Sequence, residues 1–339
     1  MRTVVVGAGA LGSLLGGYFA QAGADVTLFA RPNHAEAIRK HGLRISGMRG
    51  EQVVRTLRAV SDPSELTPAD LLILGVKSYD TRATLATCGH LRGKVGAAIS
   101  IQNGGGKDEE LEEALGKDVV VGATTMVGAA MPEPGHVIHT NEGGTWIGEY
   151  DGRRTARIEA TTDLFRKAGL PIEVREDIRA AIWCKLNQMV PAATLACVTR
   201  LRVHEIYQDR SLASLFVELT HEVARVAERL TIPLVDCQGI PVKTLCSRPF
   251  AAAVESVIAR GRIMQERGMT QVKISTLQDL ERGKRTEAEQ VIGYVVDLAT
   301  AHSVPVPKLA LLYRVIQGVE AAQRASAPQP EAGSARIHT

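Results

Sequence analysis

Glycines 7, 9 and 12 are the first residues whose spacing could do chemistry. They form G-x-G-x-x-G directly after the apolar run Thr3 to Val6 and directly before a helix-like stretch. In that context Gly7 makes a tight turn, Gly9 lets a pyrophosphate approach the backbone, and Gly12 lets helix and strand pack closely. The backbone at Gly7, Gly9, Ala10, Leu11 and Gly12 is then expected to cradle the phosphates of a dinucleotide at a helix N-terminus. A second signal sits where the next strand ends, at Ala30-Arg31. A carboxylate at that point reads a ribose 2′-hydroxyl, and a cation reads a 2′-phosphate. Asp25 lies at the strand's beginning and Glu36 lies beyond Pro32, which leaves Arg31 to hold a 2′-phosphate by paired, charge-assisted hydrogen bonds. NADPH is expected over NADH.

The elements that position these residues follow from apolar patterning. TVVV (3–6) and DVTLFA (25–30) flank the amphipathic stretch LGSLLGGYFAQAG, a βαβ opening. Strand-like runs at 71–76, 97–101 and 119–123 alternate with polar or helix-forming segments, as a parallel sheet requires. The segment 135–150, GHVIHTNEGGTWIGEY, reads as two strands around a Gly-rich turn. From about Glu176 the pattern turns helical, over 176–199, 211–230, 249–267, 286–302 and 307–323. The expected fold is therefore α/β, an N-terminal Rossmann parallel-sheet domain (1–176) followed by an all-helical domain (177–323). The tail 324–339 is expected to be disordered, having no large apolar residue but Ile337. The stretch 231–249 reads as a loop between helices, with room for a lid or a partner contact.

Bulk composition excludes several classes. A length of 339 residues suits two domains. A formal charge of +3 from 40 Lys+Arg against 37 Asp+Glu implies no nucleic-acid partner. Five cysteines without C-x-x-C spacing argue against a disulfide framework or a zinc site and fit a reducing, cytoplasmic setting. No signal peptide and no long apolar run is present, so export and membrane insertion are not expected. His136 and His139, three apart in a strand-like segment, point to opposite faces and make no metal pair. No H-E-x-x-H or G-x-S-x-G motif supports hydrolase chemistry.

With VKSYDT (76–81), IQNG (101–104), WCKL (183–186), STLQDLERGKRTE (275–287) and VPVPKLALLY (304–313) following the glycine motif in order, the chain resembles the ketopantoate reductases, the NADPH-dependent 2-dehydropantoate 2-reductases. The resemblance covers about nine-tenths of the chain. It implies an active site between a Rossmann and a helical domain, with Lys185 as general acid and Glu287 as the acidic partner of the substrate's distal hydroxyl. It further implies Asn103 near carbonyl and nicotinamide, Ser275 toward the substrate carboxylate, and Lys77 near the nicotinamide ribose. Each has a plainer reading from the residues alone. Lys185 could be a solvated helix lysine, although Trp183, Leu186 and Met189 give it an apolar setting that would lower its pKa. Thr286 and Glu289 form T-x-x-E, a capping box, so Glu287 could merely favour a helix N-terminus. Asn103 and Ser275 could be turn or cap residues.

The chain departs from the family pattern on the lysine's own helix face. The family's two asparagines, one and two turns after the lysine, are Met189 and Ala193 here; only Gln188 among nearby polar residues lies near that face, and Pro191 should kink the helix. Three functions follow. The first is NADPH-dependent reduction of ketopantoate to pantoate; the second is the same chemistry on a more apolar, branched 2-oxo acid accommodated by Met189 and Ala193. The third is a catalytically silent NADP-binding sensor. A homodimer through the helical half is compatible with the sequence.

Overall fold

The computed structural model describes residues 1–239 and 241–326. Its first half is β1 (Arg2–Val6), α1 (Ala10–Gln21), β2 (Asp25–Phe29), α2 (Pro32–His41), β3 (Leu43–Gly47), β4 (Gln52–Val54), β5 (Arg58–Val60), β6 (Ala69–Leu74), α3 (Thr81–Thr87), β7 (Val95–Ser100) and α4 (Lys107–Leu115). Then come β8 (Gly122–Glu133), β9 (His136–Gly148), α5 (Ala156–Lys167) and β10 (Ile172–Val174). Strand alternation decides how they pack. Val5, Leu71, Ile73 and Ile99 enter one core with α1, while Val4, Val6, Leu72 and Leu74 enter a second with Leu85, Leu111 and Leu115. The sheet between these cores is parallel throughout, in the order β5-β2-β1-β6-β7. Numbered by their order of use these strands run 3-2-1-4-5, the doubly wound arrangement in which ligands bind beyond the carboxyl ends of the strands.

A second sheet, β10-β9-β3-β4 with β8 paired to β9, covers the other side of α1. Here the structure corrects the expected hairpin at 135–150. That segment is one strand, β9, antiparallel to β8, and the chain reverses at Pro134-Gly135 between the paired Glu133 and His136. Gly135, at φ +81°, supplies the left-handed turn residue behind a proline. Gly143 is not a turn residue; a Cβ there would lie 2.1 Å from Met126 O, so its lack of a side chain permits close strand approach at a bulge. The strand expected at 119–123 as part of the parallel sheet begins instead at Gly122 and runs antiparallel to β9 in the second sheet, and β3, β4, β5 and β10 were not anticipated.

The second half is helical: α6 (Ile178–Thr199), α7 (Val203–Gln208), α8 (Arg210–Arg229), α9 (Val242–Ser247), α10 (Phe250–Glu266), α11 (Ser275–Glu281), α12 (Tyr294–Ala301) and α13 (Pro307–Ser326). α6 is buried on nearly every face, so it reads as hydrophobic all round and forms the centre of the helical core. The helix continues through Pro191 to Thr199. The expected helix 286–302 begins with a π-helical turn, Glu289–Gly293, before α12. The expected loop 231–249 contains α9. The last helix extends to Ser326, three residues into the segment expected to be a disordered tail; the rest of that tail lies outside the described residues. Among the described residues, no helix is long and apolar enough to cross a membrane.

Candidate active site

Four neighbouring strands deliver the nucleotide-half residues to one edge of the parallel sheet. Gly7 follows β1, Arg31 follows β2, Lys77 follows β6 and Asn103 follows β7. The glycines behave differently from one another. Gly7 has φ +86°, and a Cβ on it would lie 2.4 Å from Val76 N. A Cβ on Gly12 would press on Gly7 O and Val5 Cγ1, each at 2.9 Å, whereas a Cβ on Gly9 would meet nothing within 4 Å. The turn, the close helix packing and the open approach thus fall on the three expected positions. Gly9 is the N-cap of α1 and no side chain caps that helix, so its first amides are available to an anion. Arg31 opens α2 with an exposed side chain, 3.7 Å from Asp80. This cradle fits the pyrophosphate of a dinucleotide, with the exposed Arg31 at the end of the neighbouring strand.

The helical half faces this edge with Lys185. Its side chain is buried, and Nζ donates to Asn103 Oδ1 at 2.9 Å and to the Thr125 carbonyl at 2.7 Å. Burial, reinforced by the charge of Lys107 and opposed by Glu287, brings its pKa down to about 7. An ammonium so placed can hydrogen-bond a substrate carbonyl and give up a proton near neutral pH.

Glu287 is also buried, but its oxygens are taken. Oε1 accepts from Ser78 N–H at 2.9 Å and from Ser78 Oγ at 2.8 Å, and Oε2 accepts from Lys77 Nζ at 2.9 Å. Lys77 reaches Asp279 Oδ2 at 2.7 Å as well. Burial pulls Lys77 toward neutrality, yet the two carboxylates outweigh it and its pKa is raised. Lys77, expected near the nicotinamide ribose, therefore joins the halves of the molecule here. The capping-box reading of Glu287 fails: Thr286 Oγ1 accepts from Ala288 N–H, and Glu289 pairs with Arg285 at the surface.

The remaining expected residues divide. Ser275 is the first residue of α11 and half-buried. Met189 is half-buried, whereas Ala193 is fully buried within the helical core. Gln188 is buried, with Nε2 3.6 Å from Cys184 Sγ. The segment before α9 lies against this part of α6, since a Cβ on Gly239 would come within 2.3 Å of Gln188 Oε1, and Gln238 accepts from Gly144 N–H at 3.0 Å. Ser78, Asp279 and the Thr125 carbonyl were not anticipated. Ser78 and Asp279 lie inside motif segments quoted above, but a backbone carbonyl leaves no trace in a sequence. His136 and His139 are held separately, by Ser46 and Tyr18.

Comparison with known proteins places these residues in a family. The model of ketopantoate reductase PanE/ApbA matches residues 3–152, and that of its C-terminal domain matches residues 177–320. The 2-dehydropantoate 2-reductase of Archaeoglobus fulgidus is 32% identical over 319 residues, covering 94% of this chain and 98% of that protein. A crystal structure of a PanE/ApbA family ketopantoate reductase from Ralstonia eutropha JMP134 superposes with a TM-score of 0.79 at 29% identity, covering 96% of this chain and 100% of that one. The fold is shared too with a D-mandelate dehydrogenase solved with NADH and anilino(oxo)acetate, at a TM-score of 0.82 and 22% identity, with coverage of 96% and 100%.

Proposed function

The chain belongs to the ketopantoate reductase PanE/ApbA family, and on that premise we propose that it reduces ketopantoate to pantoate with NADPH. A nicotinamide bound at the sheet edge would supply a hydride for C2 of the 2-oxo acid. Everything else falls to the chain's own residues. Lys185 Nζ polarises the C2 carbonyl and protonates the forming alkoxide, Asn103 orients that ammonium, and Ser275 receives the substrate carboxylate. Arg31 and the α1 N-terminus hold the dinucleotide. The observation that carries this reading is Lys185 itself, a buried lysine with a pKa brought down to about 7, hydrogen-bonded to an asparagine from the carboxyl edge of the sheet.

A second reading has its own support. Glu287 is occupied by Ser78 and Lys77, and Met189 stands where the family carries an asparagine, so few free polar groups remain for a distal hydroxyl. A branched 2-oxo acid without that hydroxyl would suit such a pocket. The test is NADPH oxidation at saturating cofactor, with kcat/KM for ketopantoate and for a panel of unhydroxylated branched 2-oxo acids. Preference for ketopantoate supports the first reading and preference for the apolar acids the second. No turnover with any of them would return the chain to a silent NADP-binding role.

A further inference from the structure

Lys107 is a buried cation that the reaction described above does not use. Its side chain is 4% exposed, and Nζ donates to Ser100 O at 2.8 Å and Ala123 O at 2.7 Å. It is also the first residue of α4, where the helix dipole disfavours a positive charge. Burial and dipole both oppose its charge, so the cation requires compensation. Two carbonyls and the Asp108 carboxylate, 3.8 Å away, provide it.

The second observation is the strand that Lys107 shares with Lys185. Lys107 binds the carbonyl of Ala123 and Lys185 that of Thr125, two residues along β8. Carbonyls two apart on a strand point the same way, about 7 Å apart. Val121, of the same parity, sends its N–H to Ala98 in β7, so both carbonyls face away from β9. Two ammonium groups are therefore tethered side by side along one edge of β8, behind the Asn103 loop.

We propose that Lys107 is a positioning residue for the reduction, a second buried ammonium tethered along β8 beside Lys185 that weakens the hold of Lys185 on its proton. The inference rests on the reading of Lys185 as the proton donor. Two adjacent cations titrate as a pair, and the one with less negative charge beside it yields first. Burial lowers the pKa of Lys107 as well, but Asp108 and Glu109 on its own helix oppose that shift. Lys185 has the neutral Asn103 and a more distant Glu287, whose oxygens are shared with Lys77 and Ser78, with Asp279 behind Lys77. Lys185 is thus the partner that gives up its proton, and after burial the charge of Lys107 is what lowers its pKa.

The test is a 13C NMR titration of lysine side chains in the full-length protein, with the Lys185 signal assigned by its loss in Lys185→Ala, alongside the pH profile of kcat. Lys107→Met should move the Lys185 titration and the alkaline limb of kcat upward by about 1 to 2 pH units, as expected for unit charges about 7 Å apart at an effective dielectric constant near 20. Lys107→Arg, which keeps the charge, should leave both near the wild-type position. If Lys107→Met does not fold, Lys107→Gln keeps a donor for one carbonyl and should shift in the same direction. A Lys185 titration unmoved in the uncharged variants overturns the proposal. A titration that moves while the kcat limb stays fixed supports the coupling and counts instead against Lys185 as donor.

Discussion

At the scale of single residues, the proton inventory of Lys185 sets the expected behaviour. The reduction needs the ammonium form, so kcat should hold below about pH 7 and fall as pH rises through that value, while oxidation of the hydroxy acid should rise over the same interval. A stopped-flow pH series in both directions would expose a wrong sign at once. Lys185→Ala should keep its affinity for NADPH and lose about 10²- to 10⁴-fold in kcat, the usual contribution of a positioned acid; unchanged turnover would remove it from the mechanism. Arg31→Ala should weaken NADPH much more than NADH, read by fluorescence titration, and equal weakening would mean that the guanidinium does not meet the 2′-phosphate. The turn at Gly7 and the close packing at Gly12 were legible because the spacing of the glycines alone demands them, and Arg31 stands where the sequence put it, just after β2. Lys185 and Glu287 stood out only through the resemblance, since a lysine in a helix and a glutamate near a helix start are commonplace, and their burial and partners appear only in the structure. Lys107 was not legible: in GGGKDEEL a lysine reads as a solvated helix start, and only its two carbonyl partners reveal its burial.

At the scale of elements, the sequence shows strands and helices better than it shows what pairs with them. Four strands of the parallel sheet and the helix α6 were visible as apolar runs and a helical pattern. The error at 135–150 arose because two adjacent glycines look like a turn, whereas here Gly143 permits close strand contact and a Cβ on Gly144 would make only ordinary contacts. That distinction can be measured. Gly143→Ala puts a Cβ 2.1 Å from Met126 O and should destabilise the protein by about 2 kcal/mol or more, as overpacking against backbone does. Gly144→Ala, whose Cβ would meet nothing nearer than 3.6 Å, should change stability by less than about 1 kcal/mol. Similar melting temperatures for the two variants would contradict the register of β8 and β9. The short elements β3, β4, β5, β10, α7, α9 and α11 were missed for a related reason: three to seven residues carry too little periodicity to separate them from loops.

At the scale of the whole molecule, the two halves meet through charge as well as packing. Lys77, from the nucleotide half, stands between Asp279 and Glu287 of the helical half. Lys77→Ala would leave two largely buried carboxylates without their shared cation, and a loss of about 2 kcal/mol or more in urea unfolding is expected. Asp279→Asn, which leaves Lys77 paired with Glu287, should cost less. The reverse order would mean that Asp279 rather than Lys77 is the keystone. Under the proposed function the same bridge would couple the two ligands thermodynamically. Ser78 and Lys77 belong to the loop that follows β6 of the parallel sheet, and Glu287 is the carboxylate that the resemblance pairs with a substrate hydroxyl. Any bound group that draws Ser78 away from Glu287 frees that carboxylate, and any hydroxyl that takes the carboxylate frees Ser78. By reciprocity, each event must change the other's affinity by the same factor. A substrate lacking the hydroxyl stands outside that exchange, so its binding should be indifferent to which dinucleotide is present, and a hydroxylated one should report on it.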